Sequence, residues 1–192
     1  MLVELLAYLL VGSFAGMLAG MFGVGGGIII VPVLVFIFSI LGFEDSYLVH
    51  IAIGTSLATI FFTGISSARS HYLKGSIDAK AFLPIAIGIS FGAILGAFIA
   101  SSLNGDILRK IIGIFAFLIA IQMMFNQNRN VKKSTNKIVS MLTGVGIGSA
   151  SSVLGIGGGS FTVPFFKYNG IDMKTSIGTA AACGIPIAFF GS

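Results

Sequence analysis

The sequence predicts an all-α, polytopic transmembrane helical bundle with two inverted structural repeats and Gly-rich helix breaks. Three observations predict it. First, 56% of the 192 residues are hydrophobic and only 9% are charged, with a mean hydropathy of +1.05. A soluble domain carries roughly 25% charged residues to cover its surface, and a disordered chain needs the opposite composition. Second, the apolar residues gather into runs near membrane-spanning length. Third, a Gly-rich motif occurs twice with the same flanks.

The apolar runs are 2–22, 27–42, 47–67, 80–100, 106–125, 137–154, 159–168 and 173–192. Run 2–22 has Glu4 but no basic n-region, so it reads as a first spanning helix rather than a cleaved signal peptide. Runs 27–42 and 159–168 follow the Gly-rich breaks, contain Pro32 and Pro164, and are short for a span. Tilted, broken or re-entrant helices fit them. The other runs are read as crossing. The last stops at Gly191-Ser192 with no capping charge, and the second half holds three of five expected runs. The chain is therefore expected to be part of something longer.

Net charge is +5, from 11 Lys and Arg against 6 Asp and Glu. A basic balance can mark a nucleic-acid binder, but these charges sit in gaps between apolar runs and act as topology signals. The expected partner is the lipid bilayer, not nucleic acid. If every run crosses, one side receives Arg69, Lys74, Lys80, Arg129, Lys132, Lys133, Lys137, Lys167 and Lys174. The other receives Arg109 and Lys110, with Glu4 and Glu44-Asp45. Nine against two is a positive-inside bias; without the two short crossings the split is seven against four. The first count puts the N-terminus outside. It divides the chain into a first membrane repeat (1–125), a basic cytoplasmic linker (126–136) and a second, incomplete repeat (137–192). A single cysteine, Cys183, excludes an intrachain disulfide and reads as a small buried residue.

The repeat is specific. Gly16–Pro32, containing Gly23-Val-Gly-Gly-Gly27, aligns with Gly148–Pro164, containing Gly155-Ile-Gly-Gly-Gly159, at a constant offset of 132. Ile53-Gly54-Thr55 then matches Ile177-Gly178-Thr179 after a gap eight residues shorter. Five runs precede the second copy, and an odd number turns it upside down. Inverted repeats are a common architecture of secondary transporters.

The glycines separate into three groups. Gly12, Gly16 and Gly20, then Gly88, Gly92 and Gly96, and the partial echo Gly144, Gly148 and Ser152 recur every four residues. They fall on one helix face, where small residues let backbones approach. The second group is the pair of breaks. Four glycines in five residues destabilise a helix, by about 1 kcal/mol each relative to Ala. In lipid the freed backbone groups must find partners or line a cavity. Paired breaks in two repeats point to a transporter's binding site, and successive N–H groups at a helix start form an anion-binding concavity. Tight turns between helices are the alternative. Candidate substrate-binding residues are therefore Gly23, Gly25, Gly26 and Gly27 with Gly155, Gly157, Gly158 and Gly159. The third group adds Thr55, Ser56 and Thr179, whose hydroxyls can bond a substrate or the preceding helical turn. Neither G-x-G-x-x-G nor G-x-x-x-x-G-K-[ST] occurs, so nucleotide binding is rejected.

Almost every charge falls at a run boundary. Arg69 and His71, at the inner end of the third run, could attract an anion, relay a proton or anchor the inner face. His50 has no visible partner and reads as interfacial. Asp78 reads as the cap of the next helix. The lack of a central carboxylate argues against a built-in cation site.

The duplicated Gly-x-Gly-Gly-Gly with Pro five residues later, followed by Gly54-Thr55-Ser56, resembles the TauE/SafE family of permeases. Ser66-Ser-Ala-Arg69-Ser-His71-Tyr-Leu-Lys-Gly75-Ser-Ile-Asp78 resembles that family's loop after the third run. The resemblance implies an inner-membrane permease for a small sulfur-containing oxyanion of sulfite, sulfonate or sulfoacetate type. The inverted repeats point to alternating access, with the anion at the two breaks. Neither cofactor nor metal is expected. Without an ATPase signature, a proton or sodium ion would couple transport, or the flux would run downhill. An enzyme is disfavoured: Gly54-Thr-Ser56-Leu-Ala58 lacks the final Gly of G-x-S-x-G, and the two histidines are 21 residues apart, unlike H-E-x-x-H. An anion channel or accessory membrane subunit is the alternative.

Overall fold

The computed structural model describes residues 12–13, 27–124 and 136–192. The rest of the first run, with Gly16, Gly20, Gly23, Gly25 and Gly26, lies outside the described residues, as does the linker up to residue 135. The described residues form seven helices and no strand: α1 Gly27–Ile40, α2 Asp45–Leu73, α3 Ala79–Ser102, α4 Gly105–Met124, α5 Lys137–Leu154, α6 Gly159–Tyr168 and α7 Met173–Gly191. The fold is the expected all-α bundle.

Helices α2, α3, α5 and α7 are long and apolar enough to cross a membrane. The 14 residues of α1 and the 10 of α6 reach only about 21 and 15 Å, against roughly 30 Å of hydrocarbon. Neither spans alone. Phe62, Phe91, Phe98 and Phe117 stand exposed on the outer faces. In water such a surface would aggregate; lipid solvates it. Helix α2 runs six residues past its expected end, so Arg69 and His71 lie on its last turns. Past residue 67 neither Gly nor Pro occurs until Gly75, whose φ of +63° turns the chain.

Two helix pairs organise the bundle. Helices α3 and α5 run parallel with their backbones touching. A Cβ on Gly88 would strike the Met141 carbonyl oxygen, one on Gly92 that of Val145, and one on Gly96 that of Ser149. From the other side, a Cβ on Gly148 would strike the Ile89 carbonyl oxygen, and one on Gly144 would sit 2.5 Å from that of Ile85. The four-residue spacing read in the sequence is thus a packing seam. Gly12 meets none of the described residues within 4 Å. Helices α2 and α7 run antiparallel: Gly178 lies against His71, Gly64 against Ile185, and Gly191 against Leu57.

Caps and ties fix the ends. Asp78 caps α3, its carboxylate accepting from Lys80 N at 2.9 Å and Ala81 N at 3.1 Å. Asn136 caps α5 through Ile138 N. Asp172 caps α7 by accepting from Thr175 N at 2.9 Å. That bond holds its carboxyl below the ordinary carboxylate range, so the cap's support is present at neutral pH and is lost as acid protonates it. His50 is not without a partner: its Nε2 lies 3.1 Å from the carbonyls of both Ala100 and Leu103, at the C-terminal end of α3 where carbonyls lack helical donors. Cys183 is fully buried in α7.

Charges separate by end. Lys80 and Lys137 share one cavity with Asn169, so short α6 returns the chain to that basic end, and Lys167 and Lys174 fall there too. At the other end Arg109 pairs with Asp45 at 3.7 Å.

Gly148→Ala should destabilise the protein by about 1–3 kcal/mol through overpacking. Gly146→Ala on the same helix, where nothing lies within 4 Å, should be neutral or stabilising. Thermal unfolding in detergent checks the contrast; equal midpoints would refute the seam.

Candidate anion site at the helix breaks

The second break forms where α5 must end and the chain must turn back. Gly155 caps α5 at φ +66°, and Gly158 precedes α6 at φ +74°. Both are left-handed positions where a side chain is strained. Ile156 N–H donates to the Ser151 carbonyl at 2.9 Å, completing the helix end. Ser56 Oγ, fully buried on α2, donates to the Gly155 carbonyl at 2.8 Å. Thr162 Oγ1 donates to the Gly158 carbonyl at 2.9 Å. The carbonyls of Gly155 and Gly158 are therefore met by hydroxyls inside the protein, as lipid requires. Among the described residues, the N–H groups of Gly157, Gly158 and Gly159 donate to no carbonyl or side chain.

The packing around this turn leaves no room for side chains. A Cβ on Gly157 would lie 3.0 Å from Ile60 Cγ2, and one on Gly158 would strike Ile187 Cδ1. Gly184 of α7 gives the same closeness, its Cβ position 3.1 Å from the Gly157 carbonyl oxygen. Gly27, the last glycine of the first Gly-rich motif, arrives at the same place. A Cβ on Gly27 would strike the Gly155 carbonyl oxygen and lie 2.7 Å from Ile156 Cα. So α1 and α6 both begin here and leave toward opposite ends. Helix α1 heads for Asp45 and α6 for Asn169. Ile60, which touches Gly157, is the sixteenth of the 29 residues of α2, so the meeting point lies near mid-depth. The N-terminus of α6, with the first described turn of α1 beside it, concentrates positive potential there.

The predicted residues divide. Gly27, Gly155, Gly157, Gly158, Gly159 and Ser56 come together. Gly23, Gly25 and Gly26 lie outside the described residues. Thr55 is half-buried beside Ser56. Thr179 sits elsewhere, near the basic end. It is fully buried, and its Oγ1 accepts from Asp78 N–H at 3.0 Å and donates to the Thr175 carbonyl at 2.7 Å. It thus ties α7 to the start of α3. Arg69, exposed, lies nine residues beyond Ile60, about 13 Å along α2, and half-buried His71 lies further still. Neither joins the glycines.

Sequence reasoning passed over Ser151. Its Oγ is buried without a hydrogen-bond partner, 3.6 Å from the Cβ position of Gly158. At the offset of the repeat, Ser151-Ser152 stand where the first copy has Ala19-Gly20; that departure was the available signal. Also unforeseen is a cavity of about 150 Å³ at the basic end, lined among others by Lys80, Pro84, Lys137, Ser140, Phe166 and Asn169.

Residues 8–192 match the family model described as "Sulfite exporter TauE/SafE". A probable membrane transporter protein of Haemophilus influenzae is 39% identical over all of this chain and 73% of its own length. One from Methanocaldococcus jannaschii is 31% identical over 95% of this chain and 68% of its own. The Bacillus subtilis probable membrane transporter protein YunE is 32% identical over 80% of this chain and 63% of its own. No solved structure gives a significant match.

Ser56→Ala would leave the buried Gly155 carbonyl without its donor and should cost about 1–3 kcal/mol. Thermal unfolding reads the loss; an unchanged midpoint would mean that the tie does not hold the break.

Proposed function

The chain belongs to the sulfite exporter TauE/SafE family of membrane transporters, and from that premise we propose that it is a permease for a small sulfur-containing oxyanion. One observation carries the reading: α1 and α6 begin at a single buried point near mid-depth, where a Cβ on Gly27 would strike the Gly155 carbonyl oxygen. Two helix starts there supply N–H donors and positive dipole ends without a fixed cation. A cation substrate would face the wrong ends of both dipoles. Gly23, Gly25 and Gly26 contribute the first half of the site, and Gly157, Gly158 and Gly159 the second, with Thr55 and Ser56 alongside.

The two halves of the chain are inverted repeats, and rocking of one against the other alternates access. The antiparallel packing of α2 on α7, corresponding runs of the two halves, supports this. The basic end faces the cytoplasm by the positive-inside rule. Its cavity, with Lys80 and Lys137 on the rim, concentrates anions before they reach the breaks. Arg69 and His71 stand at that same end, where they attract the anion or pass a coupling proton. Sodium is the other coupling ion to test.

Purified protein in proteoliposomes should show saturable sulfite flux and counterflow. Gly26→Ala and Gly158→Ala should each abolish it; flux unchanged in folded variants would sink the glycine site. Unitary conductance in place of counterflow would identify a channel. Replacing Lys80 and Lys137 together by Gln should raise KM several-fold at low ionic strength and much less at high salt. A KM unaltered at low salt would remove the cavity from the pathway.

A further inference from the structure

Helical hydroxyls in this protein usually bond back to the preceding turn. Ser90 donates to the Ala86 carbonyl at 2.9 Å, Ser102 to Phe98 at 2.8 Å, and Ser149 to Val145 at 2.8 Å. This local bond is the ordinary way to bury a serine in a helix. Ser151 breaks the pattern. It is 0% exposed, it lies one turn before the end of α5, and its Oγ has no partner. An unpaired buried hydroxyl carries a desolvation penalty. Close by, the N–H groups of Gly157, Gly158 and Gly159 also meet no acceptor among the described residues. A buried hydroxyl beside three N–H groups that no described residue accepts from is matched by a ligand rich in oxygen.

Charge narrows that ligand. Every Lys and Arg among the described residues lies toward a helix end or in a connection, and residues 1–26 contain none. The positive potential at the breaks thus comes from two helix starts, each equivalent to roughly half an elementary charge. Together they balance one negative charge. Attraction to fixed dipoles grows in proportion to ligand charge, whereas the cost of removing an ion from water grows with its square. Each added charge therefore gains less, net of desolvation, than the first.

We propose that the Ser151 hydroxyl and the N–H groups of Gly157, Gly158 and Gly159 form a subsite selective for a singly charged oxyanion, such as hydrogensulfite or an alkylsulfonate. The proposal rests on the permease reading and adds its charge selectivity and a residue that contacts the substrate. The first copy has Ala19 in place of Ser151, so the side-chain donor belongs to the second half.

The test uses the full chain in proteoliposomes. Sulfite flux should fall as pH rises through the second ionisation of sulfite, while methanesulfonate flux stays level. Methanesulfonate should compete with hydrogensulfite, and sulfate should not. Ser151→Ala, which removes one oxygen and adds nothing, should raise KM about tenfold or more with an unchanged thermal midpoint. Ser149→Ala should behave as wild type. Equal competition by sulfate, or a wild-type KM in folded Ser151→Ala, would overturn the subsite while leaving the permease intact. A wild-type protein that moves no anion would overturn the permease reading itself.

Discussion

In lipid an apolar side chain gains nothing by leaving its solvent, so helices hold together by dispersion and hydrogen bonds alone. The α3–α5 seam meets that constraint directly. Gly88, Gly92 and Gly96 face Gly144 and Gly148 so closely that a Cβ at any of them would strike or crowd a carbonyl of the other helix. The seam fixes where α5 runs and hence where Leu154 ends it. The position of the second break, and of everything that touches it, follows. Helix α2 closes on that break through Ile53 and Ile60, and α7 through Gly184 and Ile187.

A break in mid-membrane is tolerated only if its polar atoms are answered. Here the answer is one-sided. The carbonyls of Gly155 and Gly158 are satisfied by the hydroxyls of Ser56 and Thr162. The neighbouring N–H groups are not answered by the described residues. The turn thus covers the carbonyls of Gly155 and Gly158 and leaves three N–H groups that no described residue accepts from. That arrangement, more than the glycine count, is what makes it a candidate anion site.

Much of this was legible in the sequence because it rests on spacing. Four-residue glycine periods announced the α3–α5 seam, and the second Gly-x-Gly-Gly-Gly announced the break after α5. Asp78 declared itself a cap by its place before an apolar run. Contacts between distant segments were not legible. Nothing local shows that His50 reaches Ala100 and Leu103, or that Thr179 serves Asp78 across a hundred residues. Thr55 and Thr179 match in the repeat yet sit in different surroundings, because a repeat preserves local sequence and not the neighbours each copy meets. Ser151 stayed hidden for a related reason: a serine in an apolar helix reads as back-bonded until the missing bond is seen.

The glycine seam also has a thermal character. Its facing positions carry no rotamers, so bringing the two helices together freezes almost no side-chain freedom. Its strength is close-range attraction between backbones, which is enthalpic. Burial of apolar area away from water weakens on cooling, but this contact has no such dependence. The pair of helices that locates the break should therefore stay joined in the cold, while assemblies that depend on the hydrophobic effect loosen.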